Sequence, residues 1–231
     1  VKHAEQIYSQ LCKDVSMHRA NHVCKVLRRI WTVGDRLGAT KSNPFKNMGL
    51  RKTASRKTLW EPDQVQTLIS TADEMGISSI GTLALLCYDL CQRPGDMRQL
   101  SWDRLKDGIF VFEQEKTKVW VDIPASPRLL KRMKKVSPRN WHDFIVYYEK
   151  TGMPYDAFQY NKVFSRIKRV AGLPAELQMR DLRRTGATEM AESGCTEDEL
   201  RSVTGHQSRD ILSIYVRPTR KLAAAGINKR F

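Results

Sequence analysis

The sequence predicts a mainly α-helical protein with a small antiparallel β-sheet, divided in two by a basic connector. Apolar residues recur at three- and four-residue spacing through most of the chain, as amphipathic helices require. Two β-rich runs, IFVFE (Ile109–Glu113) and VWVDI (Val119–Ile123), flank a short charged stretch and together read as a hairpin. The stretch GLRKTASRKT, from Gly49 to Thr58, is polar, basic and aperiodic, which suits a linker between folding units.

Taken in order, the first element expected is a helix from Ser16 to Leu37. There Val23, Val26, Leu27, Ile30, Val33 and Leu37 form an apolar face, with Arg and Lys between them. Asn43-Pro44 breaks the pattern. Residues 1–48 are too short for a convincing core of their own and read as the C-terminal part of a helical domain whose earlier helices lie outside this chain. Residues 49–58 are the expected linker and 59–231 the main domain. Within the latter, Glu61-Pro62 opens a helix to about Glu74, because the N–H that proline lacks would have no partner at the first helical position. An apolar helix follows over Ile77 to Cys91, and the hairpin then carries Lys116, Thr117 and Lys118 near its tip. Further helices are expected over Pro127–Lys135, Tyr155–Ala171, Leu182–Glu192, Thr196–Val203 and Arg209–Tyr215, and DFIVYY (143–148) reads as one more strand.

Composition narrows the function. The 231 residues include 40 Lys and Arg against 25 Asp and Glu, a formal charge of +15, and 41% are hydrophobic. No run approaches the roughly 20 apolar residues of a membrane span, and the first residues lack a signal-peptide pattern, so an intracellular protein is expected. Five cysteines without a CxxC pair exclude a disulfide framework and a zinc ribbon. Cys87 and Cys91, one helical turn apart, read as small buried apolar residues. The charge is uneven: residues 1–57 hold 13 basic and 3 acidic side chains, the remainder 27 and 22. Such an asymmetry points to nucleic acid as partner. Lys25, Arg28, Arg29, Arg51, Lys52, Arg56 and Lys57 are the candidate contacts, with a second basic cluster at Lys131, Arg132, Lys134 and Lys135. His18 and His22 are helix neighbours without further ligands, so no metal site is expected.

Four places could carry chemistry. In CQRPGDMRQLSW, Arg93 ends the apolar helix, and Asp96 stands close enough to orient its guanidinium. Lys116 sits on the hairpin tip. In QMRDLRRTGATEM, Arg180 and Arg183 share a face if one helix includes both. In TGHQSRDILSIYV, His206 follows a glycine and Tyr215 lies nine residues on. Each alone has an ordinary structural explanation. Their joint order resembles the tyrosine recombinase (phage integrase) family from Leu59 to Arg217. The basic segment ahead of it, including the NPF turn (Asn43–Phe45), resembles the end of that family's core-DNA-binding domain.

The resemblance implies a partial helical core-binding domain, then a catalytic domain that breaks and remakes DNA strands through a 3′-phosphotyrosine. Tyr215 is the implied nucleophile, and Arg93 and Arg183 the clamp on the attacked phosphate. Asp96 supports Arg93, and His206 adds a hydrogen bond to the same phosphate. Lys116 protonates the departing 5′ oxygen, with Lys118 as alternative if the hairpin register shifts by two. A stored covalent bond needs neither ATP nor another cofactor, and guanidinium forks match the developing charge on phosphate oxygens. One departure stands out: Arg180 occupies a position where the family commonly has histidine, and arginine cannot accept a proton near neutral pH. Here it can supply only positive charge. The expected partner is double-stranded DNA, bound by a homotetramer during recombination and by a monomer or weak dimer otherwise, in the cytoplasm of a prokaryotic host at its nucleoid. A DNA-relaxing type IB topoisomerase and a non-catalytic DNA-binding regulator are the alternatives, and the sequence does not choose whether the tail after Tyr215 packs in cis or in trans.

Overall fold

The computed structural model describes residues 2–54, 56–136, 143–207, 224 and 226–228. They fall into two compact units, Val1–Lys57 and Thr58–Phe231.

The first unit is built on a pair of helices, α1 (Lys2–Asp14) and α2 (Met17–Arg36). α1 lies outside the expectations from sequence. The Ser16 side chain accepts from the Arg19 N–H and so caps α2, which sets the start of that helix where the sequence suggested. The buried face of α2 differs from expectation. Ala20 and Cys24, with Leu27 and Trp31 beside them, pack on Ala4, Tyr8, Phe45 and Met48, whereas Val23, Val26, Ile30 and Leu37 are exposed. α2 is apolar on two faces, and within this unit only one of them is covered. Asn43 builds the turn that seats Phe45: its Oδ1 accepts from the Phe45 N–H while its Nδ2 donates to the Arg28 carbonyl. The Tyr8 hydroxyl donates to Asn21 and accepts from the Arg51 N–H, and Asn21 donates to the Arg51 carbonyl. The first residues of the expected linker are therefore tied to this small core.

In the second unit the apolar helix α4 (Ser78–Asp89) is central and is buried all round from Ser79 to Tyr88. It packs against α3 (Pro62–Glu74), the short α5 (Pro94–Arg98), α6 (Pro127–Lys135), α7 (Ala157–Val170) and α8 (Met179–Glu192), and α9 (Glu197–Thr204) follows. Strands β1 (Leu105–Lys106), β2 (Ile109–Glu113) and β3 (Trp120–Pro124) form an antiparallel sheet in chain order. Asp107 and Gly108, both at positive φ, make the tight β1–β2 turn. β2 and β3 pair with Phe110 opposite Ile123 and Phe112 opposite Val121, and all four side chains point into the core. The DFIVYY stretch is not a strand: Ser101 and Phe144 make a single bridge. Beyond it the backbone turns, with the Tyr148 N–H bonded to the Met153 carbonyl and Glu149 holding both the Tyr155 hydroxyl and the Ser79 N–H.

Two contacts fix the core around α4. Adding a Cβ to Gly186 on α8 would bring it 2.2 Å from the Tyr88 carbonyl oxygen and 2.9 Å from Cys91 Sγ, so only glycine permits this approach of α8 to the end of α4. The second contact corrects the basic cluster read from sequence. Arg132 is buried, its guanidinium bonded to both Asp73 oxygens at 2.6 and 2.7 Å, to Thr82 and to the Ser78 carbonyl. Lys135 also reaches Asp73, at 2.9 Å. Burial pushes the Asp73 carboxyl up, but the hydrogen bonds from Arg132 and Lys135 and the charge of Arg132 outweigh it and hold the group at about 2. Only Lys131 and Lys134 of the cluster remain as exposed cations without this engagement.

Candidate active site

α4 ends at Asp89, and Arg93 is not its last residue, as the sequence had suggested. The chain turns at Cys91, whose φ of 51 reverses it, and Arg93 becomes the extended residue before α5 with Pro94 at the first helical position. Its guanidinium is thus aimed by a rigid turn, with no helix C-terminus behind it. Asp96, on α5, lies 3.7 Å from Arg93 Nη1 and accepts the Glu115 N–H at 3.0 Å. One carboxylate therefore serves both the arginine and the start of the hairpin loop.

Two glutamines, neither of which the sequence singled out, tie this corner to the rest. Gln92 and Gln114 are fully buried. Gln114 Oε1 accepts from Arg93 Nη1 at 3.1 Å and from the Thr117 hydroxyl at 2.6 Å. Gln114 Nε2 donates to Gln92 Oε1 at 2.7 Å and to the Thr204 carbonyl at 2.9 Å. Gln92 Nε2 donates to the Leu90 and Val203 carbonyls, and its Oε1 also faces Arg183 Nη1 at 3.4 Å. Flipping the Gln114 amide would set N–H against N–H at Arg93, so the network admits one orientation. A signal for Gln114 was present in the sequence, since it continues the inward alternation of Phe110 and Phe112 as a polar residue at a core position.

Arg183, on α8, is buried, and its Nη2 donates to the Thr204 carbonyl at 2.7 Å and stands 3.1 Å from His206 Nε2. Helix α8 begins at Met179 rather than Leu182, behind Gln178, so Arg180 and Arg183 do share one helix. Thr196 caps α9 in a capping box with Glu199, and Gly205 ends the helix at a φ of 69. A Cβ on Gly205 would also come 2.6 Å from Gln114 Nε2. Glycine is needed here twice, for the left-handed turn and for room beside the glutamine. His206 Nδ1 lies 2.8 Å from Thr204 Oγ1, whose own proton goes to the Leu200 carbonyl, so the ring carries its proton on Nδ1 and offers the Nε2 lone pair to Arg183. Burial, with Arg183 and Arg93 adding to it, pushes His206 down to about 4. The imidazole is neutral at physiological pH, and the cluster accumulates positive charge on the two guanidiniums. That arrangement suits an anion with several oxygens.

The remaining candidates are placed as follows. Lys116 and Lys118 are exposed on the 114–119 loop, Lys118 at a φ of 54, and the loop is fastened by the Thr117 and Asp96 contacts. Arg180 is exposed and lines a groove with Tyr160, Asn161 and Lys168. Tyr215 lies outside the described residues, as does the helix expected over 209–215. In the first unit Lys25, Arg29, Arg51 and Lys52 are exposed and Arg56 and Lys57 lie close to its end. Arg28 instead donates to the Phe45 carbonyl at 2.8 Å and holds the turn after α2. Among the described residues no three His, Cys, Asp or Glu side chains gather as a metal site would need, and no helix is long and apolar enough to cross a membrane.

The sequence matches the family model described as the phage integrase family over residues 59–221. No curated protein matches it in sequence. Among solved structures, a lambda integrase dimer bound to a COC' core site superposes with a TM-score of 0.78 at 19% identity, covering 94% of this chain and 64% of that one. The chain thus spans less than two thirds of that relative. A lambda integrase tetramer bound to a Holliday junction gives a TM-score of 0.79 at 18% identity, with the same coverage. The Tn1549 transposon integrase in complex with a circular intermediate DNA gives 0.78 at 16% identity, covering 98% of this chain and 84% of that one. The helices around α4, the three-stranded sheet and the corner joining Arg93 to Arg183 all lie within the matched span, and this chain belongs to the phage integrase family.

Proposed function

We propose that this protein is a site-specific DNA recombinase, an integrase of a phage or related mobile element, that cleaves and rejoins DNA strands through a covalent 3′-phosphotyrosine. The observation that carries the proposal is the gathering of Arg93, Arg183 and His206 around a buried hydrogen-bond network, with Lys116 on the loop fastened to the same network. The Tyr215 oxygen attacks the phosphorus and the bond to the 5′ oxygen breaks. Lys116 gives its proton to that departing oxygen, and the phenol's proton leaves to water. The two guanidiniums hold the phosphate oxygens as charge builds on them. Arg180 adds positive charge at the edge and takes no proton. The reverse attack by a 5′ hydroxyl, after strands have exchanged, releases Tyr215 and conserves the bond.

Residues 1–48 act as the C-terminal part of a core-binding domain and 59–231 as the catalytic domain. Double-stranded DNA is the substrate, and Lys25, Arg29, Arg51, Lys52, Arg56 and Lys57 meet its backbone phosphates. The working form is a homotetramer on recombining DNA and a monomer or weak dimer when free, in a prokaryotic cytoplasm at the nucleoid. Incubation with nicked candidate core-site DNA, followed by denaturation, tests the chemistry. Wild-type protein should give a covalent protein–DNA band, and Tyr215→Phe should bind the DNA without one. An adduct that survives in Tyr215→Phe overturns the assignment of the nucleophile.

A further inference from the structure

We propose that Gln114 is a positioning residue: with Thr117 as its partner on the loop, it sets the Lys116-bearing turn against the Arg93–Arg183 pair, so that acid and phosphate clamp move as one unit. The inference rests on the assignment of Lys116 as the acid.

Gln114 is the first residue after β2, continues the inward alternation of that strand into the 114–119 loop, and is fully buried. Its side-chain amide uses both donors and both acceptors. The four partners come from three separate places: Gln92 and Arg93 in the turn between α4 and α5, Thr204 at the end of α9, and Thr117 in the loop itself. Its backbone closes the loop as well, its N–H donating to the Val119 carbonyl and its carbonyl accepting the Lys118 N–H. Lys116 lies inside that closure. A lysine is a long, flexible cation, and on an unfastened hairpin tip its ammonium would sample positions far from one oxygen atom. The Thr117 and Gln114 bonds restrict the backbone from which it springs. Gly205 supplies a second, independent observation, because its missing side chain is what leaves space for the Gln114 amide. Acid catalysis is sensitive to such placement, and displacement by about 1 Å can cost on the order of a hundredfold in rate.

A defect in delivering a proton can be told from a defect in folding or in phosphate binding by changing the leaving group. A substrate with sulfur in place of the bridging 5′ oxygen expels a thiolate, whose conjugate acid has a pKa near about 8.5 and which leaves without a proton donor. Single-turnover cleavage should be measured on oxygen and sulfur substrates for Gln114→Leu, Thr117→Val and Lys116→Ala. Thr117→Val deletes one hydroxyl at constant shape and keeps the test open if Gln114→Leu does not fold. The expected result is a loss of about tenfold or more on oxygen for all three variants, restored on sulfur to within about threefold of wild type for Lys116→Ala and Thr117→Val and in part for Gln114→Leu, which also loses the Arg93 contact. If Lys116→Ala is rescued by sulfur while Thr117→Val is not and Gln114→Leu gains nothing from it, or if the latter two cleave the oxygen substrate at the wild-type rate, the positioning role is overturned and the assignment of Lys116 stands. If sulfur fails to rescue Lys116→Ala, the assignment of Lys116 falls and the inference with it.

Discussion

Arg183 is the most constrained cation of the molecule's candidate site. Its guanidinium is buried against the Thr204 carbonyl and the Gln92 amide, and its Nη2 stands 3.1 Å from His206 Nε2. Arg183→Ala should lower covalent-complex formation by about a hundredfold or more, as loss of a transition-state donor does. Exposed Arg180, by contrast, should cost less than about tenfold when replaced by alanine, and single-turnover cleavage of a nicked substrate compares the two. His206 gives a pH signature. Its folded-state value of about 4 lies below the ordinary 6.5, so between these limits the unfolded chain binds a proton that the folded protein refuses. This contribution to stability is complete above pH 6.5 and is lost as the pH falls toward 4, which thermal unfolding across that window should show, with the loss reduced in His206→Gln. A phosphate placed between Arg93, Arg183 and His206 offsets part of the positive charge that disfavours protonation of the imidazole. Nicked DNA should then raise the His206 midpoint in an NMR titration.

At the scale of elements, α8 is held to α4 by contact too close for any side chain at Gly186. Gly186→Ala must push α8 away from the Tyr88 carbonyl. A destabilisation of about 1–3 kcal/mol is expected from such overpacking, together with loss of cleavage, because α8 also carries Arg183. Chemical denaturation and the covalent-band assay read the two effects separately. The Arg132–Asp73 pair clamps α6 to α3 and to the start of α4, and it is buried on the arginine side. Arg132→Leu leaves Asp73 with only Lys135 and the Ser78 side chain of the partners that hold its charge and should cost about 3 kcal/mol while leaving DNA affinity near wild type, which is opposite to the behaviour expected of a phosphate contact. Element boundaries were largely legible because their signals are local. Ser16, Pro62, Ser126 and Thr196 stand at helix starts and announce them, and Phe110 and Phe112 alternate as a strand does. The inward face of α2 was not legible, since Val23, Val26 and Ile30 make as good an apolar stripe as the one that is buried, and only the neighbours decide between them.

For the molecule as a whole, the proposed function together with +15 of formal charge concentrated toward the first unit predicts DNA affinity dominated by phosphate contacts. The logarithm of the binding constant should fall linearly with the logarithm of salt, by about 0.9 for each phosphate neutralised. Replacing Lys25, Arg29 and Lys52 together should flatten that slope by about 3, whereas Arg28→Ala should act through the fold of the turn after α2. The class of fold and the basic character were written in the sequence, because periodicity, capping residues and charge need no knowledge of what lies opposite, and the order of the catalytic candidates was legible there as a family resemblance. Tertiary structure decided the rest. It turned Arg132 inward onto Asp73, moved Arg93 from the end of one helix to the beginning of another, and joined Arg93 to Arg183 through Gln92 and Gln114. Hydrogen bonds between residues distant along the chain depend on where the core brings their backbones, and a glutamine reads the same in the sequence whether it faces water or links two arginines.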